Sequence, residues 1–93
     1  MKGRKETVIK VLDGDTFETG SRKNPVRLAN VDAPEKGQRG AAQARKALRD
    51  LVEGEKVRIV TIGRDKYGRS VANVYVGRKS VGKKMRKLLK SKR

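Results

Sequence analysis

The 93-residue chain contains no cysteine, no histidine and no tryptophan. These absences exclude disulfide bonds, thiolate nucleophiles, zinc sites of the usual type and a histidine general base. Any chemistry must therefore rely on carboxylates, arginines, lysines, hydroxyls and metal. Long apolar runs are also lacking, so we expect neither a secretion signal nor a membrane span. The cytoplasm is the default expectation for its location.

Negative charge is scarce as well. The chain has 26 Lys and Arg against ten Asp and Glu, and none of the 28 residues after Asp65 is acidic. Because a formal charge of +16 destabilises a compact state by self-repulsion, an anionic partner is indicated, and nucleic acid is the one favoured. A solvated basic tail and binding to anionic lipid are the alternatives, the second weakened by the lack of an apolar anchor.

Aromatic residues are limited to Phe17, Tyr67 and Tyr75. Unpaired bases stack on aromatic side chains in many single-strand binders, at roughly 1–3 kcal/mol for each base. With so few such side chains, we expect binding of DNA or RNA mainly through phosphates.

The apolar residues are grouped in short periodic segments separated by turn residues. Five segments rich in β-branched residues predict strands. They are residues 7–12, 16–19, 26–31, 57–62 and 70–76. Asp13-Gly14 between the first two is typical of a hairpin turn.

Helical spacing occurs in two places. Apolar residues recur at intervals of three and four over residues 41–52, and Gly54 predicts the end of that helix. A second, basic helix is predicted after Ser80 as N-cap, although Gly82 in its first turn disfavours a helix by about 1 kcal/mol relative to Ala. Residues 90–93 are predicted to be disordered.

Five short strands with one helix after the third predict a mainly β protein with one or two helices, folded as a five-stranded oligonucleotide-binding (OB) barrel. A four-stranded sheet with one helix is the alternative. We expect a single domain over residues 1–93, with its core at about 6–77 and a basic segment at 78–93.

Two acidic motifs flank the predicted strands, Asp-Gly-Asp-Thr at residues 13–16 and Asp-Ala-Pro-Glu at 32–35. Alone, each is typical of an ordinary turn. The pattern becomes more specific with Arg27 and with Asp-Lys-Tyr-Gly-Arg at 65–69, since carboxylates bind hard cations and arginines bind phosphate.

In this order, and over about residues 7–75, these motifs resemble those of the staphylococcal nuclease (thermonuclease-like) family. The motifs are Val-Ile-Lys-Val-Leu-Asp-Gly-Asp-Thr, Val-Arg-Leu-Ala-Asn-Val-Asp-Ala-Pro-Glu and Asp-Lys-Tyr-Gly-Arg. The resemblance implies an OB barrel that hydrolyses DNA and RNA with calcium and leaves 3′-phosphate ends. Reference members continue for tens of residues beyond the fifth strand, so the chain resembles a form shortened at the C-terminus.

The resemblance also implies roles for individual residues. Asp15, Asp32 and the backbone carbonyl of Ala33 would bind Ca²⁺, and Arg27 and Arg69 would grip the phosphate. The family often has Thr at the position of Ala33, but a main-chain ligand tolerates this change.

Further roles follow from the same resemblance. Glu35 would orient or deprotonate the attacking water, and Lys66 and Tyr67 would lie against the terminal phosphate and sugar of the substrate. Asp13 and Thr16 would shape the calcium loop.

General chemistry is consistent with this assignment. Two carboxylates about 4 Å apart repel by roughly 4 kcal/mol at an effective dielectric constant near 20, so a site that gathers them favours a cation between them. An inactive nucleic-acid-binding module with a vestigial site is the main alternative function. A ribosome-associated or chromatin-like basic protein is a third.

Overall fold

The computed structural model describes residues 3–90, which form six strands and two helices. In chain order these are β1 (Arg4–Asp13), β2 (Thr16–Thr19), β3 (Val26–Leu28), α1 (Ala41–Val52), β4 (Lys56–Arg64), β5 (Ser70–Val76), β6 (Lys79–Ser80) and α2 (Val81–Lys90). Neither helix has the length and apolar character that crossing a bilayer requires.

The strands form one sheet in the order β3-β2-β1-β4-β5-β6, with each neighbouring pair antiparallel. A parallel pairing of β3 with β5 closes the first five strands into a barrel. The predicted mainly β, five-stranded OB barrel is therefore confirmed, and the four-stranded alternative is wrong. The two-residue strand β6, which the sequence did not indicate, extends the sheet beyond β5.

The barrel interior is filled by side chains that alternate along the strands. Phe17 and Leu28 are fully buried, as are Leu48 of α1 and Met85 of α2. Each such side chain contributes about 1.5–3 kcal/mol relative to an exposed position. A register shift in β1 between Val8 and Lys10 interrupts the alternation, and Ile9 at this bulge is exposed.

Two strand boundaries differ from the prediction by three residues, while β1 ends one residue later and β4 is longer by one residue at its start and two at its end. Strand β3 ends at Leu28 instead of residue 31, since the chain turns at Asn30, whose φ is 60°. Strand β1 begins at Arg4 instead of residue 7, because Arg4 pairs with Ile59 of β4. Arg4, Lys5 and Glu6 include no apolar residue, so the pairing with β4 and not local hydrophobicity defines this end.

The basic C-terminal segment is a packed helix up to residue 90. Ser80 caps it as predicted, since its Oγ accepts a hydrogen bond from the backbone N–H of Lys83 at 3.2 Å. Val81 and Met85 are buried in the core, so this segment is not a solvated tail. The prediction of disorder is wrong for Lys90, which belongs to α2, and its remaining residues, 91–93, lie outside the described residues.

Candidate active site

Four separate segments of the chain line one cavity of about 410 Å³ at the end of the barrel. Its lining residues are Asp13, Asp15, Arg27, Asp32, Ala33, Glu35, Tyr67 and Arg69. The six residues singled out from the sequence for the metal, the cleaved phosphate or the attacking water all line this cavity. Lys66 does not line the cavity but lies beside it, with Nζ 5.3 Å from the centre of the Tyr67 ring. Thr16, predicted to shape the calcium loop, is buried next to Asp15.

Closure of the barrel explains why the two arginines are neighbours. In the parallel pairing of β3 with β5, Val26 is opposite Ser70 and Arg27 is opposite Val71. Arg69 immediately precedes β5, so the closing register brings it to the strand that carries Arg27, and both arginines line the cavity. The two residues are 42 positions apart along the chain, and only this long-range pairing unites them.

The turn that carries Asp15 packs tightly because residue 14 is glycine. A Cβ atom on Gly14 would lie 2.6 Å from Cβ of Ala44 and 2.8 Å from Cβ of Ala33. The φ of Gly14 is not positive, so glycine is required here for space and not for conformation. The missing side chain lets the first acidic motif contact both helix α1 and the second acidic motif.

Asp15 is the central hydrogen-bond acceptor of the site. Its Oδ1 accepts from the Thr16 hydroxyl at 2.8 Å, and its Oδ2 accepts from the backbone N–H of Ala33 at 3.3 Å. Nη2 of Arg27 is 3.5 Å from the same Oδ2, while Nη1 of Arg27 donates to the carbonyl of Leu28 at 2.8 Å. Asp15 therefore links the first hairpin to both the Arg27 strand and the Asp32 loop.

The carboxylates of Asp32 and Glu35 are more open. Both residues are exposed, and neither side chain has a hydrogen-bond or ion-pair partner among residues 3–90. The backbone N–H of Glu35 donates to Oε1 of Gln38 at 2.6 Å, and the N–H of Gln38 donates to the carbonyl of Glu35 at 2.9 Å. This turn fixes the backbone and leaves the Glu35 carboxylate available at the cavity.

Asp65 organises the loop that carries Arg69. Its Oδ1 accepts from the backbone N–H groups of Tyr67 and Arg69, each at 3.0 Å, and its Oδ2 accepts from Nε of Arg69 at 2.6 Å. Burial alone would raise the pKa of Asp65, but the hydrogen bonds from Arg69 and Tyr67 outweigh it and hold the pKa below its usual range. Because Asp65 engages Nε, this ion pair leaves the two terminal nitrogens of Arg69 unused.

Tyr67 presents an aromatic face at the same edge of the cavity. The residue is 70% exposed, and the guanidinium carbon of Arg69 lies 5.3 Å from its ring centre. This arrangement is a cation–π contact that places an aromatic ring beside the Arg69 guanidinium.

The donor atoms in the cavity suit a hard divalent cation. Two carboxylates and a backbone carbonyl, from Asp15, Asp32 and Ala33, offer oxygen alone, which is the ligand type that Ca²⁺ prefers. Asp15 has about four acceptor positions, and its three contacts leave capacity for a metal. Within residues 3–90 no three acidic side chains gather closely enough to hold a metal by themselves, so the carbonyl and water would complete the shell.

A family model described as staphylococcal nuclease homologue matches residues 25–88, more than half of the chain. The chain belongs to this family. The match includes Arg27, the Asp32 loop, the Arg69 loop and most of α2, whereas the hairpin that carries Asp15 lies before it.

Relatives with related names were also found. The chain is 40% identical over 81 residues to a Haemophilus influenzae protein named "uncharacterized endonuclease", covering 84% of this chain and 46% of that protein. It is 41% identical over 70 residues to an Escherichia coli O157:H7 protein of the same name, covering 73% and 46%. A Shigella flexneri protein named "micrococcal nuclease" is 40% identical over 70 residues, covering 73% and 40%. The chain thus spans less than half the length of these curated relatives.

Sequence reasoning missed the role of Asp65 and a buried ion pair behind the site. Glu6 is 5% exposed and accepts hydrogen bonds from Thr19 at 2.7 Å, Ser21 at 3.0 Å and Nε of Arg22 at 2.8 Å. Nη1 of Arg22 also donates to Ser70, the neighbour of Arg69, at 3.0 Å. The period-two pattern of β1, with Glu6 on the same face as buried Val8, was the signal that could have revealed the buried carboxylate.

Proposed function

We propose that the chain is a calcium-dependent nuclease that hydrolyses phosphodiester bonds of DNA, RNA or both, of the thermonuclease type. The observation that supports it best is the single cavity lined by two arginines and four carboxylates from separate segments. Membership of the staphylococcal nuclease family and the names of the relatives agree with this activity.

Asp15, Asp32 and the carbonyl of Ala33 would hold the Ca²⁺. When bound, the ion supplies positive charge that stabilises the negative charge developing on the phosphate. Asp15 is already oriented by Thr16 and by the Ala33 N–H, so the ligand set requires little rearrangement in this part of the site.

Arg27 and Arg69 bind the phosphate that is cleaved. Phosphoryl transfer depends chiefly on positioning and on charge stabilisation, and planar guanidinium groups provide both through paired hydrogen bonds. Asp65 holds Nε of Arg69 and thereby directs its terminal nitrogens. Arg27 lies on β3, where the carbonyl of Leu28 and the carboxylate of Asp15 hold its guanidinium group.

Glu35 orients or deprotonates the attacking water. Its carboxylate is exposed, lines the cavity and has no partner within residues 3–90, as a group that must accept a proton or a hydrogen bond from water requires. Lys66 and Tyr67 contact the terminal phosphate and sugar, and the product carries a 3′-phosphate.

The experiment is cleavage of single-stranded DNA and RNA with Ca²⁺, with chelator, and with the variants Glu35→Gln and Glu55→Gln. Glu55 is exposed and does not line the cavity, so its variant controls for the loss of one negative charge. We expect chelator to abolish cleavage, Glu35→Gln to slow it by about 100-fold or more, and Glu55→Gln to leave it unchanged.

Two outcomes would reject the proposal. Cleavage that persists both in chelator and in Glu35→Gln would remove the proposed site. Tight, salt-sensitive binding without any cleavage would instead support an inactive nucleic-acid-binding module.

A further inference from the structure

Adjoining cavities lead from the candidate active site to helix α2. The active-site cavity shares Asp32, Ala33 and Glu35 with a second cavity of about 480 Å³, which is also lined by Arg39. Arg39 and Pro34 line a third cavity of about 400 Å³ between α1 and α2. Because they share lining residues, these cavities adjoin one another, and together they form a depression that extends from the site on the side of the Asp32 loop.

The far end of this depression is strongly basic. Leu88 lines the third cavity and also a fourth, of about 510 Å³, together with Lys83, Lys84 and Lys87. All three lysines are exposed, and α2 contains no acidic residue. The floor of the third cavity is mainly apolar, so a ligand meets apolar contacts below and positive charge at Arg39 and along α2.

We propose that this depression, the flanking track, binds the phosphates of a single-stranded polynucleotide outside the nucleotides held in the active site. The inference rests on the proposed function, and it specifies on which side of the active site the rest of the bound strand lies. Positive charge follows the backbone of a bound strand, while sugars and bases can contact an apolar floor. A polynucleotide is favoured over other anions because the track continues directly from a cavity built for a phosphate.

The track requires a substrate long enough to reach it. OB folds bind about 4–16 nucleotides of single strand, so a tetranucleotide held in the active site should gain little from α2, whereas a 16-mer should reach it. The discriminating quantity is therefore the dependence of affinity on oligonucleotide length.

The test uses the full chain with Arg39→Gln, Lys84→Gln and Lys87→Gln combined. Binding of labelled 4-mer and 16-mer single strands is measured by fluorescence anisotropy in chelator, from 50 to 200 mM salt. Losing three phosphate contacts should reduce the slope of log K against log salt by about 2, which is roughly a 100-fold loss of 16-mer affinity near 0.1 M salt. The 4-mer affinity should change by less than about threefold.

A matched variant controls for total charge. Lys5, Lys56 and Lys79 are exposed strand residues that line none of the four cavities. Their combined change to Gln removes the same charge and should leave most of the 16-mer affinity. The proposal would be overturned if both triple variants lost the same 16-mer affinity. It would also be overturned if the track variant lost 4-mer and 16-mer affinity equally.

Two further measurements distinguish the track from a dimer interface and from the active site itself. Sedimentation could show that the parent chain is a dimer and that the track variant is a monomer with unchanged 16-mer affinity. In that case the flanking track is an interface between two copies of the chain, and the inference is wrong. Cleavage of the 4-mer with Ca²⁺ tests the active site separately. If it fails while the length-dependent loss is seen, the track stands and the proposed nuclease activity does not.

Discussion

Gly14 lies where both acidic motifs meet helix α1, and its replacement tests how the site is assembled. In Gly14→Ala the new Cβ would lie 2.6 Å from Cβ of Ala44 and 2.8 Å from Cβ of Ala33. Since non-bonded carbon atoms prefer about 3.5–4.0 Å, backbone segments must separate by about 1 Å. We expect the free energy of unfolding to fall by about 1–3 kcal/mol, as for overpacked cores.

The same displacement should weaken metal binding. The Gly14 turn carries Asp15, whose Oδ2 accepts from the Ala33 N–H at 3.3 Å, and a longer separation breaks this contact. Thermal unfolding followed by circular dichroism, with and without Ca²⁺, measures both effects. For a domain of this size each kcal/mol lowers Tm by about 4–8 °C, and the increase in Tm caused by Ca²⁺ should shrink.

Two companion variants make the reasoning refutable. In Gly82→Ala the nearest atoms would be 3.4 Å or more away, so the better helix propensity should stabilise the chain by up to about 1 kcal/mol. Combining Gly14→Ala with Ala44→Gly relieves the shorter contact. The double variant should therefore lose less unfolding free energy than the sum of the losses in the two single variants. A Tm for Gly14→Ala within about 1 °C of the parent would refute the packing argument.

Three other changes address separate parts of the molecule. The pKa of Glu6 lies below its ordinary value of 4.5, because hydrogen bonds from Arg22 and two hydroxyls outweigh the effect of burial, which raises it. The ionised Glu6 therefore stabilises the fold above pH 4.5, and this stabilisation is lost as the pH falls further. We expect Tm to drop between pH 5 and pH 3, and to drop less in Glu6→Gln. Parallel curves of Tm against pH for the two proteins would contradict this. Asp65→Asn should raise the Kd for a phosphate ester by about tenfold through Arg69 and leave Ca²⁺ affinity unchanged, whereas equal losses of both would indicate a general loss of structure. Ca²⁺ at 100 times its Kd should raise the unfolding free energy by about 2.7 kcal/mol, and Asp32→Asn should remove most of this gain; an undiminished gain would exclude Asp32 as a ligand.

Local patterns predicted most of the fold. Helix α1 has the predicted bounds because its apolar stripe, with Leu48 and Val52 buried, has a clear helical period. Strand β5 and the cap at Ser80 were likewise readable from neighbouring residues. The early start of β1 was not, because it depends on pairing with the distant strand β4. The strand β6 pairs locally with β5, but its two residues are too few to show a period.

The candidate site was predictable as a set of residues but not as an arrangement. The acidic motifs and arginines were visible in the sequence, and the resemblance to a family suggested their grouping. The space constraint at Gly14 was not readable, since Asp-Gly predicts a turn whether or not the glycine contacts a helix. The role of Asp65 was hidden too, because its importance lies in the direction it gives Arg69.

The distribution of ion pairs gives the cavity its chemical character. Among residues 3–90, four of the acidic residues form ion pairs, including Glu6 with Arg22 and Asp65 with Arg69. Asp13, Asp32 and Glu35 form none within this range, and all three line the cavity, although Lys and Arg outnumber acidic residues by 26 to ten. Glu18, Glu53 and Glu55 are also without an ion pair in this range but do not line the cavity, whereas the other three share it with Arg27 and Arg69. Under the proposed function these carboxylates have separate tasks, since Asp32 would bind the cation and Glu35 would contact water, and Arg27 and Arg69 would bind the phosphate.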